Sequence, residues 1–132
     1  MTAAARVPSS ASPSAFLALG DSYTIGEGVA PEGRWPVQLA AALRAEGFAI
    51  GEPRIIATTG WTTDELDAGI DAAHAQAPIG NEHALVSLLV GVNNQYRGRP
   101  LDEFRSQFAA LLRRAAGFAG GDPGRALVLA IP

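Results

Sequence analysis

The sequence predicts an α/β domain built on a parallel sheet with helices packed on both faces. Three observations predict it. Short apolar runs at residues 15–19, 54–58, 84–90 and 126–131 alternate with three helical patterns, in the order β-α-β-α-β-α-β. The runs are nearly continuous in apolar residues rather than alternating, as strands buried on both faces are. The first three each end in a cluster of turn residues: Gly20-Asp21-Ser22, Thr58-Thr59-Gly60-Trp61 and Gly91-Val92-Asn93-Asn94. Strands that alternate with helices in this way pair in parallel through right-handed crossovers.

Each element has its own signal. Residues 1–14 are small and polar, with Pro8 and Pro13, and read as a disordered tail before a domain at 15–132. No apolar core of roughly 7–15 residues follows Arg6, so no secretory signal is expected and the cytoplasm is the expected location. After the first strand, residues 23–34 are rich in Gly and Pro and read as a loop. Trp35-Pro36 opens a helix, because Pro suits the first helical position, and Gly47 stops it. After the second strand and its turn, Thr62 and Glu65 have capping-box spacing. The helix they open carries Leu66 and Ile70 on one face and ends by Ala77, before Pro78. Pro100 opens the third helix, with Leu101, Phe104, Phe108, Leu111 and Leu112 on its core face. Residues 117–124 read as a loop leading into the fourth strand.

Composition narrows the function classes. The chain has 132 residues, suited to one domain, of which 48% are hydrophobic and 17% charged. It has no cysteine, which excludes disulfides, a thiol nucleophile and cysteine-bound metal sites. All ten basic residues are Arg, they are scattered, and the net charge is −3. A nucleic-acid binder needs a basic stripe, so no nucleic-acid partner is expected. No apolar run approaches the length of a membrane span.

In an open parallel sheet, ligands bind outside the carboxyl ends of the strands. The three polar clusters share that rim. Ser22 can present a hydroxyl there, Gly60 lets a backbone N–H approach a ligand closely, and Asn93 offers a side-chain NH2. A serine attacking an ester carbonyl creates an oxyanion, which such donors stabilise.

These clusters resemble the blocks of the GDSL-type, SGNH-hydrolase family of serine esterases and lipases. The first block stands at residues 16–24, with Tyr23 where Leu is commoner after the serine. The second is centred on Gly60. The third is Gly91-Val92-Asn93-Asn94, with Asn94 where Asp is usual. The resemblance implies a flavodoxin-like α/β/α sandwich and a carboxylic ester hydrolase acting on a small-molecule ester. It implies that Ser22 is the nucleophile and an oxyanion N–H, Gly60 a second oxyanion N–H, and Asn93 the side-chain donor. No metal or organic cofactor is implied.

The family's fourth block, Asp-x-x-His after a fifth strand, has no counterpart in the 132 residues. Asp71-Ala72-Ala73-His74 has the bare pattern but falls mid-helix between the second and third blocks. His83 precedes the third strand, at the end away from the rim. The expectation is therefore a domain cut after its fourth strand, with the nucleophile and oxyanion half of the site and no base. Little esterase activity follows, because an unassisted serine hydroxyl is a poor nucleophile. The apolar strand at 126–131 would form an exposed edge suited to self-association. The alternative is a non-catalytic α/β module that binds an acyl or sugar ligand at the same rim, or one completed by a partner chain. Which ester is taken stays open.

Weaker candidates complete the reading. Trp61, Asn94 and Arg97 are candidate substrate contacts. Asp21 is a turn former rather than a triad acid. Gly26-Glu27-Gly28 lacks the residues of a phosphate loop.

Overall fold

Strands Phe16–Gly20 (β1), Arg54–Ala57 (β2), Leu85–Leu89 (β3) and Ala126–Val128 (β4) form one parallel sheet in the order β2-β1-β3-β4. The computed structural model describes residues 13–132. The helices are Ser22–Ile25 (α1), Trp35–Ala45 (α2), Thr63–Gln76 (α3), Val92–Tyr96 (α4) and Leu101–Phe118 (α5). This is the doubly wound, flavodoxin-like strand order that the resemblance implied.

β1 is the hydrophobic centre, with all five residues buried. Side chains alternate across a strand, so its two faces feed two cores. Leu17 and Leu19 join Val86 and Leu88 of β3, Leu66 and Ile70 of α3, and Leu111 and Ala115 of α5. Phe16 and Ala18 face the other way, onto Ala40, Leu39 and Leu43 of α2. The result is three layers, α2 on one face and α3 with α5 on the other. Among the described residues, no helix is long and apolar enough to cross a membrane.

The structure departs from the sequence reading in five places. The expected tail lies outside the described residues up to position 12. Ser14, assigned to that tail, is paired: its N–H donates to Ala49 O at 2.8 Å and its carbonyl accepts from Gly51 N at 2.9 Å. The expected loop at 23–34 contains α1 and a 3-10 turn, Pro31–Gly33. The third rim cluster continues into α4. Both α1 and α4 are too short to show an apolar period. The α5 helix runs through Gly117 and stops at Gly120. There the Gly121 N–H closes the helix on Ala116 O at 2.8 Å, while Phe118 and Ala119 stay on the core. β4 ends at Val128, with one more sheet bond from Leu129 N to Leu88 O at 3.0 Å.

Candidate functional site

Parallel register puts the carboxyl ends of β1, β2 and β3 on one edge, with Gly20 between Ala57 and Leu89. The chain passes from β1 to β2 on one side, then across to β3 on the other. The strand order therefore reverses between β1 and β3, which is where a doubly wound sheet opens a crevice. Ser22 leaves β1 on one side of that crevice, and Asn93 leaves β3 on the other.

Ser22 is the first residue of α1 and is partly exposed. The turn that presents it is built by Asp21, which is 1% exposed and caps α1 by accepting from Tyr23 N at 3.1 Å. Burial raises the Asp21 carboxyl above its ordinary range, against the lowering effect of its backbone hydrogen bonds. Gly20 permits the close approach of α1: a side chain there would meet Thr24 Oγ1 and, at 2.7 Å, Leu89 O. The Asp21 turn former of the sequence reading is thus a buried helix cap. The short helix lies against the end of β2, beside the turn that holds Gly60.

Gly60 adopts φ +90°, a conformation that favours glycine, and its flank is open. Among the described residues, the backbone N–H groups of Ser22 and Gly60 meet no acceptor. Asn93 Nδ2 donates to Trp61 O at 3.0 Å, which commits one of its two amide hydrogens and leaves the other. The bond joins the turns after β2 and β3, the two strands that flank β1. The rim therefore carries a partly exposed hydroxyl and three N–H donors on loops tied together around the end of β1.

The three candidate substrate contacts are occupied otherwise. Asn94 is 2% exposed and both ends of its amide go to Thr63: Oδ1 accepts from Thr63 N at 3.0 Å and Nδ2 donates to Thr63 Oγ1 at 2.9 Å. It fastens α4 to the start of α3. The Trp61 ring packs across Gly69 of α3, where a methyl group would collide with it. It is partly buried and packs against the core. Arg97 donates to Gly60 O at 2.5 Å and pairs with Glu65 at 3.2 Å.

Around these lies a polar seam that the sequence hid. Thr62 and Glu65 form the expected capping box, with Thr62 N donating to Glu65 Oε1 at 3.0 Å. That backbone bond, followed by Arg97, holds the Glu65 carboxyl below its ordinary range. The Thr62 hydroxyl bonds Asp64 at 2.5 Å, and with Arg99 at 3.1 Å it lowers Asp64 likewise. Thr63 Oγ1 reaches Gln107 of α5 at 2.5 Å. Only the capping box has a local signal. The Thr63 contacts join residues 31 and 44 positions apart and leave none.

Neither histidine reaches the rim. His74 sits in the last turn of α3, at the opposite edge of the sheet, where its Nδ1 accepts from Ile79 N at 2.9 Å. His83 stands just before β3, at the end away from the rim. It is 7% exposed, with its backbone N–H and its ring Nδ1 both on Phe118 O, at 2.9 and 3.0 Å. Among the described residues there is no group of three or more His, Cys, Asp or Glu arranged to hold a metal. A cavity of about 330 Å³ opens beyond Asn93, between Gly91, Gln95, Leu101, Phe104 and Ile131. Ser22 and Gly60 do not line it.

Comparison with known proteins bears on this arrangement. Residues 18–129 match the family model described as the GDSL-like lipase/acylhydrolase family. Among solved structures, the chain is similar to AlinE4, an SGNH-hydrolase family esterase, with 28% identity and a TM-score of 0.67 over 80% of this chain and 55% of that one. It shares its fold with TesA, at 23% identity and a TM-score of 0.68 over 88% of this chain and 58% of that one. It also shares it with the psychrotrophic esterase EstA from Pseudoalteromonas sp., at 22% identity and a TM-score of 0.65 over 88% of this chain and 57% of that one. No curated protein matches it. The chain thus spans 55% to 58% of the length of these three structures.

Proposed function

The chain belongs to the GDSL-like lipase/acylhydrolase family, and on that premise we propose that its rim is the nucleophile and oxyanion half of a carboxylic-ester-hydrolase site. The observation that carries the reading is the bond from Asn93 to Trp61 O, which draws the Asn93 and Gly60 loops together across the end of β1, where Ser22 stands.

In this reading Ser22 Oγ attacks the ester carbonyl carbon and the carbonyl oxygen takes up negative charge. The free N–H groups of Ser22 and Gly60 and the second amide hydrogen of Asn93 donate to that oxygen. Collapse expels the alcohol and leaves an acyl group on Ser22, which water then removes. Preorganised donors of this kind act without reorganising at the moment of reaction, and each contributes about 3–4 kcal/mol in hydrolases where one has been removed.

The proton of Ser22 needs an acceptor. His74 and His83 are held at the other edge by Ile79 N and Phe118 O. In a serine protease, losing the base costs about a million-fold in turnover, while the oxyanion hole and binding retain about a thousand-fold over water. With both histidines held away from the rim, these 132 residues by themselves are proposed to turn esters over slowly.

The test is hydrolysis of p-nitrophenyl acetate by the wild-type chain and by Ser22→Ala, with and without added imidazole. Imidazole supplies a base near neutral pH. We expect a small rate that rises with imidazole above its effect on Ser22→Ala. Robust unassisted turnover that Ser22→Ala abolishes would overturn the missing-base part. Identical rates for the two proteins in both conditions would overturn the hydrolase reading.

A further inference from the structure

We propose, resting on the reading above, that Arg97 is the positioning residue that holds the two loop-borne oxyanion donors as one unit. Its backbone belongs to the Asn93 side of the site: Arg97 N donates to Asn93 O at 2.9 Å, one helical turn along α4. Its side chain belongs to the Gly60 side: Nη2 donates to Gly60 O at 2.5 Å. A single residue thus spans from the backbone that carries one donor to the peptide that follows the other.

The Gly60 turn needs such a tie. Thr58 and Thr59 are exposed, and Gly60 has φ +90°. No core side chain packs against its flank: the nearest atom to a Cβ built there is Arg97 Nη2 itself, at 3.9 Å. Besides Arg97, the turn is closed by one bond from Trp61 N to Thr58 O at 3.2 Å and by Asn93 on Trp61 O at 3.0 Å. The guanidinium is fixed from behind. It pairs with Glu65 Oε1 at 3.2 Å, and that oxygen is itself fixed by Thr62 N at 3.0 Å. Arg97 therefore grips the turn from both ends, through Gly60 O and through the cap of α3. Both contacts are made from one nitrogen, Nη2, whose hydrogens are fixed in the guanidinium plane, whereas a lysine ammonium on a flexible stem would aim its donors with less geometric control. With its side chain 39% exposed, Arg97 is not a core residue, so its removal should loosen the turn and leave the sheet intact.

The test uses the whole 132-residue chain, 15N-labelled, as wild type, Arg97→Met and Arg97→Lys, with phenylboronic acid as the probe. Ser22 Oγ adds to boron, a B–O bond forms, and the hydroxyl proton goes to solvent. The resulting tetrahedral boronate carries the negative charge that the oxyanion donors meet. In wild type we expect amide shifts at Ser22, Gly60 and the Asn93 side chain. Misplacing a site by about an ångström can cost about a hundredfold, so Arg97→Met should bind about tenfold to a hundredfold more weakly, and Arg97→Lys in between. Without probe, the heteronuclear NOE at Gly60 should fall in Arg97→Met while β1 and β3 amides stay unmoved. Equal boronate affinity with an unchanged Gly60 NOE would overturn the positioning role and leave the proposed function standing. Full recovery by Arg97→Lys would overturn it in favour of charge alone. No boronate shift at Ser22 in wild type would overturn the proposed function, and the role of Arg97 in it would fall with it.

Discussion

The side-chain amide of Asn93 donates to the carbonyl oxygen of Trp61 at 3.0 Å, and in doing so bridges the turns that follow β3 and β2 over the end of β1. In the proposed site Asn93 is then both a donor to substrate and a clasp on the turn that holds Gly60. Asn93→Ala should remove both functions. The imidazole-supported, Ser22-dependent rate of ester hydrolysis should fall by about a hundredfold to a thousandfold, measured against wild type under the same conditions.

Asn94 occupies a position where the family more often has Asp, and its surroundings favour the amide. Its Nδ2 donates to Thr63 Oγ1, which leaves the Thr63 hydroxyl hydrogen for Gln107 Oε1. In Asn94→Asp the carboxylate can accept from Thr63 N and from the Thr63 hydroxyl, at the expense of Gln107. In Asn94→Leu the buried Thr63 N–H is left without a partner, at a cost of about 1–3 kcal/mol. Chemical denaturation should therefore rank wild type and Asn94→Asp close together, with Asn94→Leu well below both.

Acid should loosen the start of α3. The carboxyls of Asp64 and Glu65 are held below their ordinary values of 3.8 and 4.5, chiefly by the Thr62 hydroxyl and the Thr62 N–H respectively. A depressed folded-state value means that the stabilisation is full above the ordinary value and is lost as pH falls through the folded one. Asp21 has the opposite sign. Burial raises it, so its contribution is favourable below 3.8 and is lost as pH rises through its folded value. Thermal melts from pH 7 to pH 3 should show the gap between wild type and Asp64→Asn/Glu65→Gln closing as pH drops. Asp21→Asn keeps an acceptor for Tyr23 N, and should match or exceed wild type at pH 7.

β4 is an edge strand of the sheet, and its Leu127 and Val128 are 44% and 46% exposed. An open apolar edge of parallel sheet favours pairing with another strand, and Lys on an edge blocks it. The chain is accordingly expected to self-associate with rising concentration, and Leu127→Lys to reduce the effect. Multi-angle light scattering across a concentration series checks this. A monomer at every concentration would contradict it.

The strands, the three longer crossover helices and the capping box were legible because each has a local signal: apolar runs, Pro36, Gly47 and Pro100 at helix ends, and the Thr62–Glu65 spacing. The rim glycines, Ser22 and Asn93 were legible for the same reason, as strand-end clusters that parallel topology must bring to one edge. What stayed hidden is non-local. Nothing near Asn94 announces that its amide is used up by Thr63, and nothing near Arg97 points to Gly60, 37 positions away. Both stood only as candidate substrate contacts because the five-residue helix that carries Asn94 and leads into Arg97 is too short to declare itself. The burial of His83 had no local signal because its partner, the Phe118 carbonyl, stands 35 positions later.

The central claim, that Ser22 attacks an ester within a preformed oxyanion hole, is tested most directly by trapping the acyl group. The chain is incubated with p-nitrophenyl acetate and imidazole, quenched in acid, digested and read by peptide mass spectrometry. The account predicts an acetyl group on Ser22 that accumulates in wild type and is sharply reduced in Asn93→Ala. Acetylation confined to other nucleophiles such as Tyr23, with Ser22 unmodified, would contradict it.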